Sequence, residues 1–293
     1  MDTTEVFETL RPRLLGVAYR ILGSVADAED VLQEAWMRWS RTDASTVANP
    51  EAYLVTVVGR RATDFLRAAK RRRETYTGPW LPEPVANEPD PADPAAAAEL
   101  ADSLSMALLV VLETLSPLER AAFVLHEVFD RPYAEVAATL GRSEQAVRQL
   151  VHRARGRVDD GHARFSADAA THTQVVSRFL AACQGADLEA LLAVLAPDVV
   201  IISDSGGQAQ APRRPVYGQD KVARLLVGFA GRVPEGLTFG LEYFNGSLGI
   251  VARIDGTPFA AMAVTVAEGT VQSLQLIVNP EKLAFLQGVS RLR

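Results

Sequence analysis

Apolar residues recur at helical spacing through most of the chain up to Asp168 and then give way to short β-rich runs, so the period alone divides the sequence. Ala28, Val31, Leu32, Ala35, Trp36 and Trp39 make one helical stripe, opened by Ser24 with Asp27 in capping-box position and running to about Ser40. Asn49 caps and Pro50 starts a further helix with the stripe Leu54, Val57, Val58, Ala62, Phe65 and Ala69. Ser116 and Pro117 open another. Pro132 precedes a helix from Tyr133 to Leu140 that ends at Gly141, and Ser143 caps a last one to about Val158. Helix, glycine-containing turn, helix is the layout of a helix-turn-helix. Val147, Leu150, Val151, Ala154 and Val158 pack its final helix down.

Beyond Asp168 the pattern predicts helices at Thr171–Ala182, Leu188–Leu195 and Asp220–Ala230. It predicts strands at Val199–Ser203, Leu237–Phe244, Leu248–Ile254, Phe259–Ala267 and Val271–Val278, bounded by Gly, Pro, Asn or Asp. Helices followed by a mostly antiparallel sheet predict a small α+β domain. Between the helical parts, Gly78 to Ala98 is dominated by Pro, Ala, Asp and Glu, which predicts an extended or disordered linker. The reading is multidomain: 1–75 all-α, 76–100 linker, 101–165 all-α helix-turn-helix and 168–293 α+β.

Composition narrows the function classes. The chain has 293 residues, enough for two or three domains, with 48% hydrophobic and 23% charged residues, as in soluble globular proteins. No apolar run has membrane-spanning length, and Met1 to Leu10 lacks the pattern of a signal peptide, so no membrane partner is expected. Cys183, the only cysteine, leaves neither an internal disulfide nor a cysteine metal cluster, in keeping with a reducing cytoplasm. The net charge of −6 argues against nucleic acid until its distribution is read. Arg60 to Arg73 holds seven basic residues against one acid, and Arg142 to Arg157 five against one. Tyr76 to Leu104 holds six acids and no base. Segregated charge implies at least two different partners.

The charged faces give candidate chemistry. Asp27, Asp30, Gln33 and Glu34 lie opposite the first stripe, as a solvated face or as a docking face for a basic partner. Arg60, Arg61, Arg67, Lys70, Arg71, Arg72 and Arg73 give the next helix a basic side and end suited to a phosphate backbone. The polar segment Arg41 to Asn49 beside it has a position from which a loop accepts an unstacked base. In the last helix of the helix-turn-helix, Gln145, Arg148, Gln149 and His152 share an exposed stripe flanked by Arg142, Arg153 and Arg155. Arg and Gln pair bidentately with guanine and adenine edges, and an N-terminal position on this helix matches recognition-helix docking.

With these strings in place the chain resembles a known family. Asp27-Ala28-Glu29-Asp30-Val31-Leu32-Gln33-Glu34 is similar to region 2 of extracytoplasmic-function sigma factors, where this helix binds the clamp helices of core RNA polymerase. Glu51-Ala52-Tyr53-Leu54 through the Arg60–Arg73 helix resembles the part that melts and reads the minus-10 promoter element. Leu115-Ser116-Pro117-Leu118-Glu119-Arg120, Tyr133-Ala134-Glu135-Val136-Ala137 and His152-Arg153-Ala154-Arg155 resemble region 4, the minus-35 reader. Trp80-Leu81-Pro82-Glu83-Pro84 and Asn279-Pro280-Glu281-Lys282-Leu283 resemble signatures of the SigJ-like group, whose C-terminal domain is an NTF2-like, SnoaL-like cone. The second string has Glu281 where the group has Asp. Asp204-Ser205-Gly206-Gly207-Gln208 is a looser match to an Asp-Gly-Gly-Gly-Lys loop. The resemblance implies a regulatory contact made by Trp80, Leu81, Pro82, Asp204, Asn279, Pro280, Lys282 and Leu283.

The function expected is that of an alternative sigma factor, regulated in cis by its C-terminal domain and partnered by core RNA polymerase and promoter DNA. A one-component helix-turn-helix regulator with a ligand-sensing domain is the alternative; it leaves the acidic helix and the Arg60–Arg73 helix without a purpose. NTF2-like cones carry pockets, so a small-molecule ligand stays open. Enzymatic activity is not expected. Catalysis in such a cone usually needs a carboxylate near His or Tyr, and His172 sits at the helical entrance while Asp204, Glu242, Tyr243 and Asp255 form no evident pair. No nucleotide loop, metal set or nucleophile triad implies a cofactor.

Overall fold

The computed structural model describes residues 3–86, 104–162, 168–231 and 234–286. They form two compact units, one of residues 3–75 and Leu109–Asp160 and one of the described parts of Tyr76–Leu108 and Gly161–Val289. Helices α1 (Thr3–Leu22), α2 (Val25–Trp39) and α3 (Pro50–Arg73) open the chain, and α4 is Met106–Glu113. Helices α5 (Pro117–Phe123), α6 (Tyr133–Leu140) and α7 (Glu144–His162) follow. The sequence-derived starts hold because side chains satisfy the first free amides. Ser24 Oγ accepts from Asp27 N at 3.2 Å and Asn49 Oδ1 from Ala52 N at 3.0 Å. Ser116 and Glu119 form a reciprocal capping box. Gly141, at φ 62°, ends α6 in the left-handed region that glycine enters without strain.

The two helical parts are packed into one unit, although the intervening linker predicts separate domains. The reason lies on α3. Its buried positions are Leu54, Val55, Val58, Gly59, Ala62, Thr63, Leu66 and Ala69, whereas Val57 and Phe65 of the expected stripe stay half-buried. Val55, Gly59 and Thr63, four apart, form a second face. At Gly59 an added Cβ would stand 3.2 Å from both Leu125 methyls, so glycine is what lets the second helical part approach. The fully buried Arg120 donates to Arg20 O at 2.9 Å across this junction, and Arg131 pairs with Glu51 at 2.9 Å.

The second unit is the expected α+β domain, entered by Tyr76–Ala86 as extended chain; the rest of the Pro-rich stretch, residues 87–103, lies outside the described residues. Helices α8 (Ala169–Gln184) and α9 (Leu188–Val194) precede β1 (Leu195–Asp204) and β2 (Val216–Tyr217), followed by α10 (Gln219–Ala230). Strands β3 (Leu237–Phe244), β4 (Ser247–Ile254), β5 (Thr257–Ala267) and β6 (Thr270–Ile277) lead to α11 (Pro280–Leu283). The order is β2-β1-β6-β5-β4-β3; β1 runs parallel to β6 and every other pair is antiparallel. Three hairpins each turn on two residues, Asn245-Gly246, Asp255-Gly256 and Glu268-Gly269, all with positive φ. That is the turn whose twist matches the strands it joins. One sheet face packs on Val176, Phe179, Val222 and Leu226 of α8 and α10 through Ile201, Ile250, Val264 and Leu274.

Candidate functional site

In the first unit the acidic face of α2 lies opposite its buried stripe. Asp30 and Gln33 are exposed, Asp27 and Glu34 half-buried. Glu34 is bound bidentately by Arg61, with one contact at 2.9 Å, so a residue expected on the polymerase face and one expected on the DNA face hold each other. Arg60, Arg67, Arg71 and Arg72 of α3 are exposed; Arg67 pairs with Asp64 at 2.6 Å and Arg72 lies over Phe65. Lys70 and Arg73 depart from the basic face that the sequence predicts. Lys70 Nζ donates to the carbonyls of Glu113 and Leu115, while Arg73 pairs with Glu113 at 2.6 Å and donates to Leu22 O at 2.8 Å. Free carbonyls at and just after the end of α4 draw Lys70 inward, the Glu113 carboxylate and the carbonyl of Leu22 at the end of α1 draw Arg73, and burial pulls both pKa values down.

Beside α3 the segment after α2 makes a short turn at Ala44–Thr46. Arg38, Arg41, Thr42 and Tyr53, with Glu34 and Met37, line an open groove of about 630 Å³. Arg142 in the turn before α7 and Gln145, Arg148, Gln149 and His152 on it are exposed. Arg148 stacks on the Tyr133 ring at 4.1 Å, within 3.6 Å of the Glu144 carboxylate. Arg153 and Arg155 are exposed but partnered, by Glu119 at 2.9 Å and Glu127 at 2.6 Å. Burial alone would raise the pKa of Glu119; Arg153, the Ser116 hydroxyl and amide, and Arg157 outweigh it and hold it at about 2.

The second unit gathers the strings in the linker, after β1 and at α11 around one carboxylate. Asp204 is completely buried. Its Oδ1 accepts from the Tyr76 hydroxyl at 2.6 Å and Gly206 N at 3.1 Å, its Oδ2 from Leu81 N at 2.8 Å and Lys282 Nζ at 2.6 Å. Lys282 also donates to Leu81 O and stands 3.8 Å from the centre of the Trp80 ring. Asn279 caps α11 by accepting from Glu281 N, and its Nδ2 donates to the Tyr76 oxygen at 2.9 Å. Leu81, Pro82 and Leu283 are buried, whereas Pro280 at the first turn of α11 is exposed. The two departures from the group's pattern meet: Gln208 Nε2 donates to Glu281 Oε1 at 3.2 Å. Burial first, then the bond to Asp204 and its charge, raise the Tyr76 pKa, which keeps the hydroxyl a donor.

Sequence reasoning missed Tyr76 and Asn245. Asn245 exchanges two bonds with the linker, donating its amide to Val85 O and accepting from Val85 N, both at 2.9 Å. Its signal was the Asn-Gly turn, which announces a hairpin and not a linker contact. Tyr76 carried the same signal as Trp80, a large ring in an acidic Pro-rich stretch. His172 bonds Val264 O at 2.9 Å through Nε2, which fixes its ring on the backbone of β5.

Residues 6–72 match the family profile described as Sigma-70 region 2, and residues 105–158 that of Sigma-70, region 4. The chain is 47% identical over 295 residues to the ECF RNA polymerase sigma factor SigJ of Mycobacterium tuberculosis, across 96% of this chain and 93% of that protein. It is 30% identical to that species' probable ECF RNA polymerase sigma factor SigI, across 93% of this chain and 92% of the relative. A crystal structure of M. tuberculosis extracytoplasmic function sigma factor SigJ matches with a TM-score of 0.77 at 42% identity, covering 96% of this chain and 98% of that one. With both sigma regions present in order and a whole-length relative at 47% identity, the chain belongs to the extracytoplasmic-function family of RNA polymerase sigma factors.

Proposed function

We propose that this sigma factor divides its work among four surfaces. Asp30 and Gln33, with Asp27 and Glu34, dock on the clamp helices of core RNA polymerase. Arg60, Arg67, Arg71 and Arg72 grip the backbone near the minus-10 element, and the groove at Arg41, Thr42 and Tyr53 receives a base displaced from the stack. Arg142, Gln145, Arg148, Gln149 and His152 read the minus-35 element. Arg61, Arg153 and Arg155 join the DNA face when they exchange their carboxylate partners for phosphate; Lys70 and Arg73 act as braces. Support for the division comes from exposure, since Asp30, Gln33, Arg60, Arg67, Arg71, Arg72, Arg142, Gln145, Arg148, Gln149 and His152 face solvent while the braces are spent on carbonyls and Glu113. A one-component regulator would leave residues 6–72 without a role, which favours the sigma reading.

The C-terminal unit acts as an in-cis regulator and not as an enzyme. The observation that carries this is the buried Asp204, whose carboxylate is occupied by Tyr76, Leu81 and Lys282 and thereby ties the inter-region linker to the cone. A tethered contact acts at high effective concentration, about millimolar, so a modest interface suffices to bias the DNA-reading parts between two arrangements. Run-off transcription with core polymerase tests it on the full chain, Trp80→Ala and a truncation before Asn279. The variants are expected to differ from the full chain in promoter activity; equal transcripts at matched polymerase occupancy would remove the regulatory role.

A further inference from the structure

The C-terminal unit holds a cavity of about 480 Å³ between the helix-facing side of its sheet and helices α8 and α10. Pockets that take whole small molecules have about this size, roughly 300–1,000 Å³. Phe179, Phe229, Phe239, Phe259 and Met262 present ring and thioether surface to it. No Asp, Glu, Lys, Arg or His stands among the described residues that line it. Cys183 in the wall is neutral, because burial pushes its thiol up to about 12. Among the described lining residues, side-chain amides come from Gln184 and Gln210, both exposed. Phe239 and Phe259 are 39% and 44% exposed, so large apolar surface is left uncovered. Close-packed interiors leave few voids larger than a water, and unfilled apolar space lowers stability. A cavity retained on those terms is shaped for an occupant.

Its wall is also continuous with the carboxylate cluster. The loop after β1 begins at Asp204, passes Gly206 and Gly207 against Asn279, Tyr76 and Thr77, and reaches the cavity at Ala209 and Gln210. On β6 and just beyond it, Leu276 and Val278 line the cavity, while the Val278 and Asn279 amides donate to Asp204 O at 2.8 and 3.1 Å. An occupant that moves either wall moves a group bonded to the linker.

We propose that this cavity binds a neutral, largely apolar small molecule carrying an aromatic ring, and that its occupancy is transmitted through the Asp204–Gln210 loop to the linker. Only the second half of the proposal rests on the reading of the cone as an in-cis regulator. The test titrates the full chain with N-phenyl-1-naphthylamine, a neutral fluorophore that is dark in water, and with 1-naphthoate as its charged counterpart. Saturable one-to-one binding of the neutral probe is expected, weakened about tenfold by Phe239→Ser or Phe259→Ser, since each removes ring area from the site. Both rings are partly exposed, so these variants keep the fold. Hydrogen exchange of the 76–86 segment, which includes the bonded Leu81 and Val85 amides, is expected to change at least threefold on probe binding and to stay unchanged in the two variants at the same probe concentration. Unsaturable binding, or binding indifferent to both variants, overturns the site; equal affinity for naphthoate overturns the ligand class. Saturable binding with unaltered linker exchange overturns the transmission alone. The linker contact has its own control, Asp204→Asn, which raises exchange without any probe.

Discussion

Replacing Lys282 by methionine keeps the side-chain stem and removes the ammonium from the Asp204 carboxylate. Asp204 has no exposed surface, so the anion left behind loses the partner at 2.6 Å and water does not replace it. Tyr76, Leu81 N and Gly206 N continue to donate to it, but all three are neutral. Removing one member of a buried pair costs about 3–5 kcal/mol. That is a large part of the roughly 5–15 kcal/mol by which domains are stable. Lys282→Met also withdraws the donor from Leu81 O and the cation from above Trp80, so the loss falls on the docked linker as well as on the unit. Asp204→Asn strands the ammonium in the same way. The double variant strands neither charge, so a double-mutant cycle is expected to return a coupling of about 1–3 kcal/mol. Urea unfolding of the full chain followed by circular dichroism measures the cycle, and hydrogen exchange of the Leu81 and Val85 amides localises it. Strictly additive single losses, or Lys282→Met with wild-type exchange in the linker, would refute the argument that this pair secures the segment.

Reversing charge at Asp30 and Glu34 is expected to weaken the complex with core polymerase while far-ultraviolet circular dichroism stays unchanged; undiminished affinity in the folded double variant removes the docking assignment. Arg148→Ala and Gln149→Ala are expected to shift minus-35 base preference by about 1–3 kcal/mol for a bidentate contact. Arg71→Ala or Arg72→Ala instead lowers binding across all promoters and flattens its salt dependence, as a phosphate contact does. Equal losses of the α7 variants on every minus-35 sequence would exclude direct readout. The ordinary carboxyl value of 4.5 falls to about 2 at Glu119, so its stabilisation is present above pH 4.5 and is lost as pH falls from there towards 2. Glu119→Gln is expected to remove that part of the acid sensitivity, checked by urea midpoints across this window.

Much of the fold was legible in the sequence because its causes are local. Ser24, Asn49 and Ser116 satisfy amides within three residues, Gly141 stops its helix through its own φ, and Asn-Gly, Asp-Gly and Glu-Gly turns set the hairpins. The stripe Val147, Leu150, Val151, Ala154 and Val158 was likewise complete, since α7 buries one face. Helix α3 was read only in part, because it buries two faces and a helical period announces one. Val55, Gly59 and Thr63 mean nothing until Leu125 arrives from a segment more than sixty residues away. Lys70 and Arg73 are indistinguishable in sequence from Arg71 and Arg72; only the carbonyls of Glu113 and Leu115, for Lys70, and the Glu113 carboxylate with Leu22 O, for Arg73, turn them inward. Motif resemblance brought Trp80, Asp204 and Lys282 into one group, but only the tertiary structure makes Asp204 its buried centre and sets Gln208 against Glu281. Periodicity and capping report where a residue stands on its own element, whereas a charge's partner is chosen by distance in space, which the chain settles only when distant segments pack.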